Sequence, residues 1–192
     1  MKRNIFFLVL LLPGFFSSAQ SFYDVTKYGA KKDSSAKATA AIAKAIDAAS
    51  KAGGGTIYFP AGKYLTGPIH LKSNITISID AGAELHFSDD FDDYLPMVES
   101  RFEGVDVISF SPLFYAYKAE NITITGRGKI NGHGKKWWAF VESYKDGQLR
   151  NKWQNIFDSL NKKILLPDDA KLMQRGFLRP PFIQPMYCKN VW

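Results

Sequence analysis

From Gly55 onward the apolar residues come in short runs, broken every few positions by Gly, Pro or Asn. The stretches 56–59, 64–66, 69–71, 75–79, 84–87, 105–110, 114–117, 122–125 and 182–188 are rich in β-branched and aromatic side chains and read as strands. Residues 22–30 read as a further short strand that turns at Gly29. Only 36–52 carries a clear helical period. There Ile42 and Ile46 are i, i+4 neighbours with Ala38 and Ala49 beside them, Ser34 or Ser35 is placed to cap the start, and Gly53 ends the helix. Strands so short and frequent, with no helices between them, exclude a doubly wound sheet and leave a sandwich, a barrel or a β-solenoid.

A weak repeat separates these. Lys72-Ser73-Asn74-Ile75-Thr76-Ile77 is echoed by Ala119-Glu120-Asn121-Ile122-Thr123-Ile124, and Cys188-Lys189-Asn190-Val191 restarts the phrase. Asn tolerates the left-handed backbone of a tight turn, so the same turn is expected before each strand of a stacked coil. The 47 residues from Asn74 to Asn121 would hold two coils, each of roughly twenty residues. The narrow apolar stripe of the 36–52 helix suits a cap on the terminal coil, because a solenoid must shield its first coil from solvent. Asn74-Ile75-Thr76 and Asn121-Ile122-Thr123 also match the glycosylation sequon, with the turn as the favoured role. Residues 135–178, with Trp137, Trp138 and Trp153, interrupt the rhythm and read as a long, partly helical loop inserted between coils.

The first nineteen residues read as an address. Lys2 and Arg3 precede an apolar run at 5–12, and Ser17-Ser18-Ala19 suits cleavage after Ala19, giving a secreted or periplasmic protein made of one domain over 20–192. Removal of Lys2 and Arg3 lowers the formal charge of +7 by two, and the remaining basicity suits an acidic polysaccharide. Scattered Lys and Arg together with export argue against nucleic acid, and no second apolar stretch would span a membrane. Cys188 is the single cysteine, so no internal disulfide forms, and its neighbours Tyr187 and Val191 suggest a small buried strand residue.

The residues that carry a family resemblance are Asp24-Val25-Thr26-Lys27-Tyr28-Gly29-Ala30, the Gly53-Gly54-Gly55 stretch through Tyr64, Gly67-Pro68-Ile69-His70-Leu71-Lys72-Ser73-Asn74, and Asn121 to Gly134 followed by Trp137-Trp138. In this order they resemble the amino-terminal part of glycoside hydrolase family 28, the polygalacturonases. Phe177-Leu178-Arg179-Pro180-Pro181-Phe182 resembles that family's next segment, and Arg101-Phe102-Glu103-Gly104 with Ser111-Pro112-Leu113 resembles its bacterial, exo-acting members. The resemblance implies an all-β chain, a right-handed single-stranded parallel β-helix with an α-helical cap. It also implies inverting hydrolysis of galacturonan by a monomer with neither metal nor organic cofactor. Inverting chemistry places an attacking water between two carboxyl groups. The family supplies its catalytic groups from Asn-Thr-Asp, Gly-Asp-Asp, Gly-His-Gly and Arg-Ile-Lys phrases that follow the Arg-Pro segment. Of these only Gly132-His133-Gly134 occurs, and it sits in the family's earlier Ile-Asp-Gly-x-Gly-x-x-Trp-Trp phrase, with Asn131 where Asp is usual. The expectation is therefore an amino-terminal portion, truncated before its catalytic coils, inactive by itself and ending on an uncapped, aggregation-prone face.

Six residues are the candidate substrate-binding set. Arg179 offers a guanidinium suited to a uronate carboxylate, or to backbone carbonyls of the inserted loop. Trp137 and Trp138 could stack on a sugar or pack under that loop, His133 is a turn residue beside it, and Arg101 and Glu103 could line the far end of a cleft. The acids Asp89, Asp90, Asp92 and Asp93 admit a Ca²⁺ site, an acid–base pair or a solvated loop, and Asp168-Asp169 after Pro167 would start a helical turn. Two rival classes remain: a pectate-lyase-like β-eliminase, invited by the acids at 89–93, and a non-catalytic polysaccharide-binding β-helix.

Overall fold

Ile75, Ile77 and Ile79 alternate with Thr76 and Ser78, and the three isoleucines are buried while the hydroxyl residues are half-buried. That period of two, repeated strand after strand, directs one row of side chains into a common core and the other outward. The structure, a computed structural model, describes residues 21–145, 151–165 and 178–192. The stretch read as a signal peptide, Asp168-Asp169 and Phe177 lie outside the described residues.

Three parallel faces wind around the core. The first is ordered β1 (Phe22–Asp24), β3 (Gly55–Phe59), β6 (Ile75–Ile79), β11 (Glu120–Gly126) and β14 (Lys189–Val191). The second is β2 (Asp33–Lys37), β4 (Gly62–Thr66), β7 (Ala83–Phe87) and β12 (Lys129–Asn131). The third is β5 (Ile69–Leu71), β10 (Phe114–Tyr117) and β13 (Ile183–Met186). Each turn of chain visits the first, second and third face in that order before stepping up, and every pairing within a face is parallel. This is an all-β parallel β-helix. Registers bring like onto like, with Ile57 beside Ile77 beside Ile124, and Tyr64 beside Leu85 beside Ile130. Full burial of such a side chain contributes about 1.5–3 kcal/mol.

Helix α1 (Thr39–Lys51) stands where the first coil would otherwise place a third-face strand. Ala41, Ile42, Ala45, Ile46 and Ala49 are its buried stripe, and the alanines allow close approach to the strands beneath. Neither Ser34 nor Ser35 caps it. Both lie in β2, and the N-cap is Ala38 without a side-chain hydrogen bond, its N–H donating to the Leu65 carbonyl. The end of the helix is a glycine turn, with Gly53 at φ 91°.

An asparagine ladder marks the start of the last three first-face strands, β6, β11 and β14. Asn74, Asn121 and Asn190 have φ of 63°, 56° and 51°. Asn121 Nδ2 donates to Asn74 Oδ1 at 2.8 Å, and Asn190 Nδ2 donates to Asn121 Oδ1 at 2.9 Å. The stacking corrects one expectation. β6 pairs directly with β11, so the 47-residue interval is one coil carrying an insertion rather than two coils. The stretch expected as a coil strand at 105–110 belongs to that insertion, as β9 (Val105–Ser109) in an antiparallel hairpin with β8 (Val98–Phe102). Sequence reading missed β2, β8 and β12, which carry many polar residues.

Asn121 holds a left-handed backbone and bonds above and below it. Asn121→Ala should lower stability by about 2 kcal/mol, through both the backbone penalty and the lost bonds, and Asn121→Gly by about 1 kcal/mol, through the bonds alone. Urea denaturation of the two variants measures the difference, and equal losses would remove the backbone contribution from the account.

Candidate functional site

Both insertions leave the solenoid at the same corner, between the second and third faces. Residues 88–113 depart between β7 and β10, and residues 132–182 depart between β12 and β13. The second contains α2 (Gly134–Lys145) and α3 (Lys152–Asn161). Stacked coils therefore stack their insertions, and the two meet through aromatic rings. Phe91 lies 4.1 Å from Trp137, 4.7 Å from Phe140 and 5.0 Å from Trp153 between centroids, with Tyr94 on Trp137 at 4.9 Å. Such pairs add about 0.5–1.5 kcal/mol each beyond burial. Trp137 is 2% exposed, which makes it core and removes it from the sugar-stacking candidates. Asn161 fastens α3 to β9: its Oδ1 accepts from Ile108 N at 2.7 Å, and its Nδ2 donates to Ile108 O at 2.7 Å.

The four acids at 89–93 do not converge on an ion site. Asp90 Oδ1 accepts from Asp92 N at 3.1 Å and so caps the 3-10 turn Phe91–Tyr94. Asp93 is held by Lys37 at 2.6 Å, Asp92 by Lys152 at 2.6 Å and by Trp153 Nε1 at 2.8 Å, and Asp89 lies 3.7 Å from Lys136. The loop is thus a set of clamps joining the first coil, the third coil and the α2–α3 insertion. Among the described residues no group of three or more His, Cys, Asp or Glu could hold a metal ion.

The neighbour of Trp137 faces the other way. Trp138 is 56% exposed, and the Arg179 guanidinium carbon lies over its ring at 4.5 Å. Arg179 is positioned by its flanks. Leu178 is buried, while the Pro181 and Phe182 carbonyls accept from Leu113 N and Phe114 N at 3.0 Å and lead the chain into β13. A stacked guanidinium keeps its N–H edge free for a planar oxyanion, and a cation over an indole is a favourable pair.

His133 is held at φ 46° by Asn131, whose Oδ1 accepts from His133 N at 2.9 Å. Its Nε2 lies 3.0 Å from His86 Nδ1, and His86 Nε2 lies 3.1 Å from Glu84 Oε2. The His86 hydrogen bond, helped by the charges of Lys63 and Lys129, holds the Glu84 carboxyl below the usual carboxylate range. A broad recess of about 640 Å³ opens beside His133, with Asp89, Lys135 and Lys136 on its walls.

Arg101 and Glu103 belong elsewhere. Glu103 and Gly104, at φ 47° and 92°, are the two-residue turn of the β8–β9 hairpin. Arg101 Nε donates to Gly104 O at 3.2 Å and lies 3.3 Å from Asp106. Among the described residues no contact joins either one to Trp138, Arg179 or His133. The structure therefore brings together Trp138 with Arg179 and, nearby in sequence, His133 with His86. Sequence reading missed Glu84 and His86, although the buried Ala83, Leu85 and Phe87 around them mark both as outward residues of a strand.

A capped parallel β-helix is the architecture of the pectate-lyase-like proteins. The chain belongs to the rhamnogalacturonase A/epimerase, pectate lyase-like family, whose model matches residues 22–151. It is 35% identical over 149 residues to the exo-poly-α-D-galacturonosidase of Dickeya chrysanthemi, spanning 73% of this chain and 24% of that protein. It is 34% identical to the hyperthermoactive exopolygalacturonase of Thermotoga maritima, with a TM-score of 0.72 over 90% of this chain and 40% of that one. A shorter match of 63 residues, 46% identical, covers 29% of this chain and 7% of alginate lyase 7 of Azotobacter vinelandii. The chain thus spans about a quarter to two fifths of the length of its two galacturonan-cleaving relatives, and its motifs and these matches together support the resemblance to polygalacturonases.

The Lys152 and Trp153 bonds hold the Asp92 carboxyl below the usual carboxylate range. A lowered folded value stabilises the docked insertion above the pH where a free aspartate titrates, and that contribution is lost as pH falls through the folded value. Tryptophan emission should accordingly shift to the red in acid below the ordinary aspartate range, and Asp92→Asn should flatten that step. Asn161→Leu would leave the Ile108 N–H and C=O unpaired and should cost about 3 kcal/mol in urea denaturation.

Proposed function

We propose that this chain forms the cap and early coils of a secreted or periplasmic glycoside hydrolase that cleaves pectic galacturonan by inversion. The observation that carries this reading is the match to the Thermotoga maritima exopolygalacturonase across 90% of the chain, in fold and in sequence together. The basic charge of the chain supports a polyanionic substrate. Among the described residues no helix is long and apolar enough to cross a membrane.

Within this reading the Trp138–Arg179 pair binds one uronate unit. The exposed indole offers an apolar platform to the sugar's C–H face, and the guanidinium edge takes the carboxylate in a bidentate hydrogen bond. His133 lies on the rim as a turn residue that can bond a sugar hydroxyl. Arg101 and Glu103 serve the hairpin turn. The catalytic carboxylates belong to coils that do not include this stretch, since no Asn-Thr-Asp or Gly-Asp-Asp phrase occurs in it. A second reading, a β-eliminase, is favoured by the short match to alginate lyase 7.

Calorimetry with oligogalacturonate should show binding to the 192-residue chain without release of reducing ends. Trp138→Ala and Arg179→Ala should each weaken that binding about tenfold, and Arg179→Lys should restore little of it, because an ammonium cannot make the paired contact. Extended through its catalytic coils, the protein should release reducing ends without an unsaturated product. An unsaturated uronate signal that depends on Ca²⁺ would replace hydrolysis by elimination.

A further inference from the structure

His86 and His133 come from successive coils, the first on β7 and the second in the turn after β12, yet their Nδ1 and Nε2 atoms are 3.0 Å apart. The ring centroids are 5.3 Å apart, so the two nitrogens lie on the line between the rings and share one proton. Glu84 decides where that proton sits. It accepts from His86 Nε2, which leaves His86 Nδ1 as a lone pair, so His133 Nε2 carries the shared hydrogen. A carboxylate on the far nitrogen of an imidazole is also the device that fixes the tautomer and aims the lone pair of a metal-binding histidine.

We propose that His86 and His133 form a two-imidazole site for a divalent transition-metal ion, cross-linking the third coil to the fourth. Nitrogens 3.0 Å apart on one line leave no room for an ion at metal–nitrogen distances of about 2.0–2.1 Å, so His133 must swing aside to admit it. The nitrogen donors favour Cu²⁺ most, with Ni²⁺ below it in the same affinity series. The ion takes the place of the shared hydrogen. The proton leaves His133 Nε2 and one is taken up at Nδ1, so a neutral pair binds with no net proton release. His133 is exposed and can turn its lone pair toward the ion, whereas His86 is fixed on its strand by Glu84. Lys129, 3.8 Å from Glu84, and the nearby Lys135 and Lys136 oppose the added charge, while Glu84 and Asp89 offset them. Water fills the remaining positions. This inference is independent of the carbohydrate reading.

The test is titration of the chain, purified without a histidine tag, with CuCl₂ and with NiCl₂, followed by calorimetry and electron paramagnetic resonance. One ion should bind per chain, the Cu²⁺ spectrum should show two imidazole nitrogens, and the melting temperature should rise with metal. His133→Asn keeps a residue that tolerates the φ of 46° and should abolish both the binding and the rise in melting temperature. Glu84→Gln should weaken binding about tenfold. His70, the third histidine, is hydrogen-bonded to Ser111 and stays in every variant as an internal control. Stoichiometric binding that survives His133→Asn, or no saturable binding to the unaltered chain, overturns the assignment.

Discussion

In-register parallel stacking is the constraint on which every other feature rests. A strand on one of the three parallel faces has no hairpin partner close by in sequence. Its backbone groups are satisfied only by the coils above and below, and its inner side chains are covered only if the registers agree. The asparagine ladder enforces that agreement at one corner, because Asn74, Asn121 and Asn190 each need both the same backbone turn and the same side-chain contact. A slip of one residue would break the ladder and turn the isoleucine row of β6 outward.

The corner between the second and third faces is what stacking makes possible. Because the coils superimpose, loops that leave at the same point also superimpose, and two long insertions find each other without any dedicated scaffold. Their interface is layered. Aromatic rings around Phe91 and Trp137 fill the inside, Asn161 ties α3 to β9, and lysines clamp the acidic turn at the surface. The surface ion pairs are individually weak and mainly fix geometry. The buried rings supply the adhesion. This fixed platform is what presents Trp138 and Arg179 to solvent.

Much of the architecture was legible in the chain. Alternating runs at 75–79 and 84–87 read directly as strands because each has one buried face, and Ile42 and Ile46 marked the cap helix. β2 was not legible, because Asp33–Lys37 is an almost entirely exposed edge strand that carries no hydrophobic pattern. The start of α1 was misread for the same reason: two serines suggested a cap, while a strand held them. The 47-residue interval suggested two coils because spacing alone cannot distinguish a coil from an insertion. Of the site, the chemistry of Trp138 and Arg179 was readable, but which of two adjacent tryptophans faced solvent was not. Pairing His86 with His133 required the coil register, which brings residues 47 apart into contact.

The steps between successive ladder asparagines lengthen from 47 to 69 residues along the chain. Closing a flexible loop costs free energy that grows only with the logarithm of its length, about 0.6 kcal/mol per doubling. The longer excursion is therefore a small entropic burden, and its own aromatic contacts outweigh it. That corner is accordingly the place where such a protein can acquire new surface through evolution, or a grafted module by design, without disturbing the axis around which it is wound.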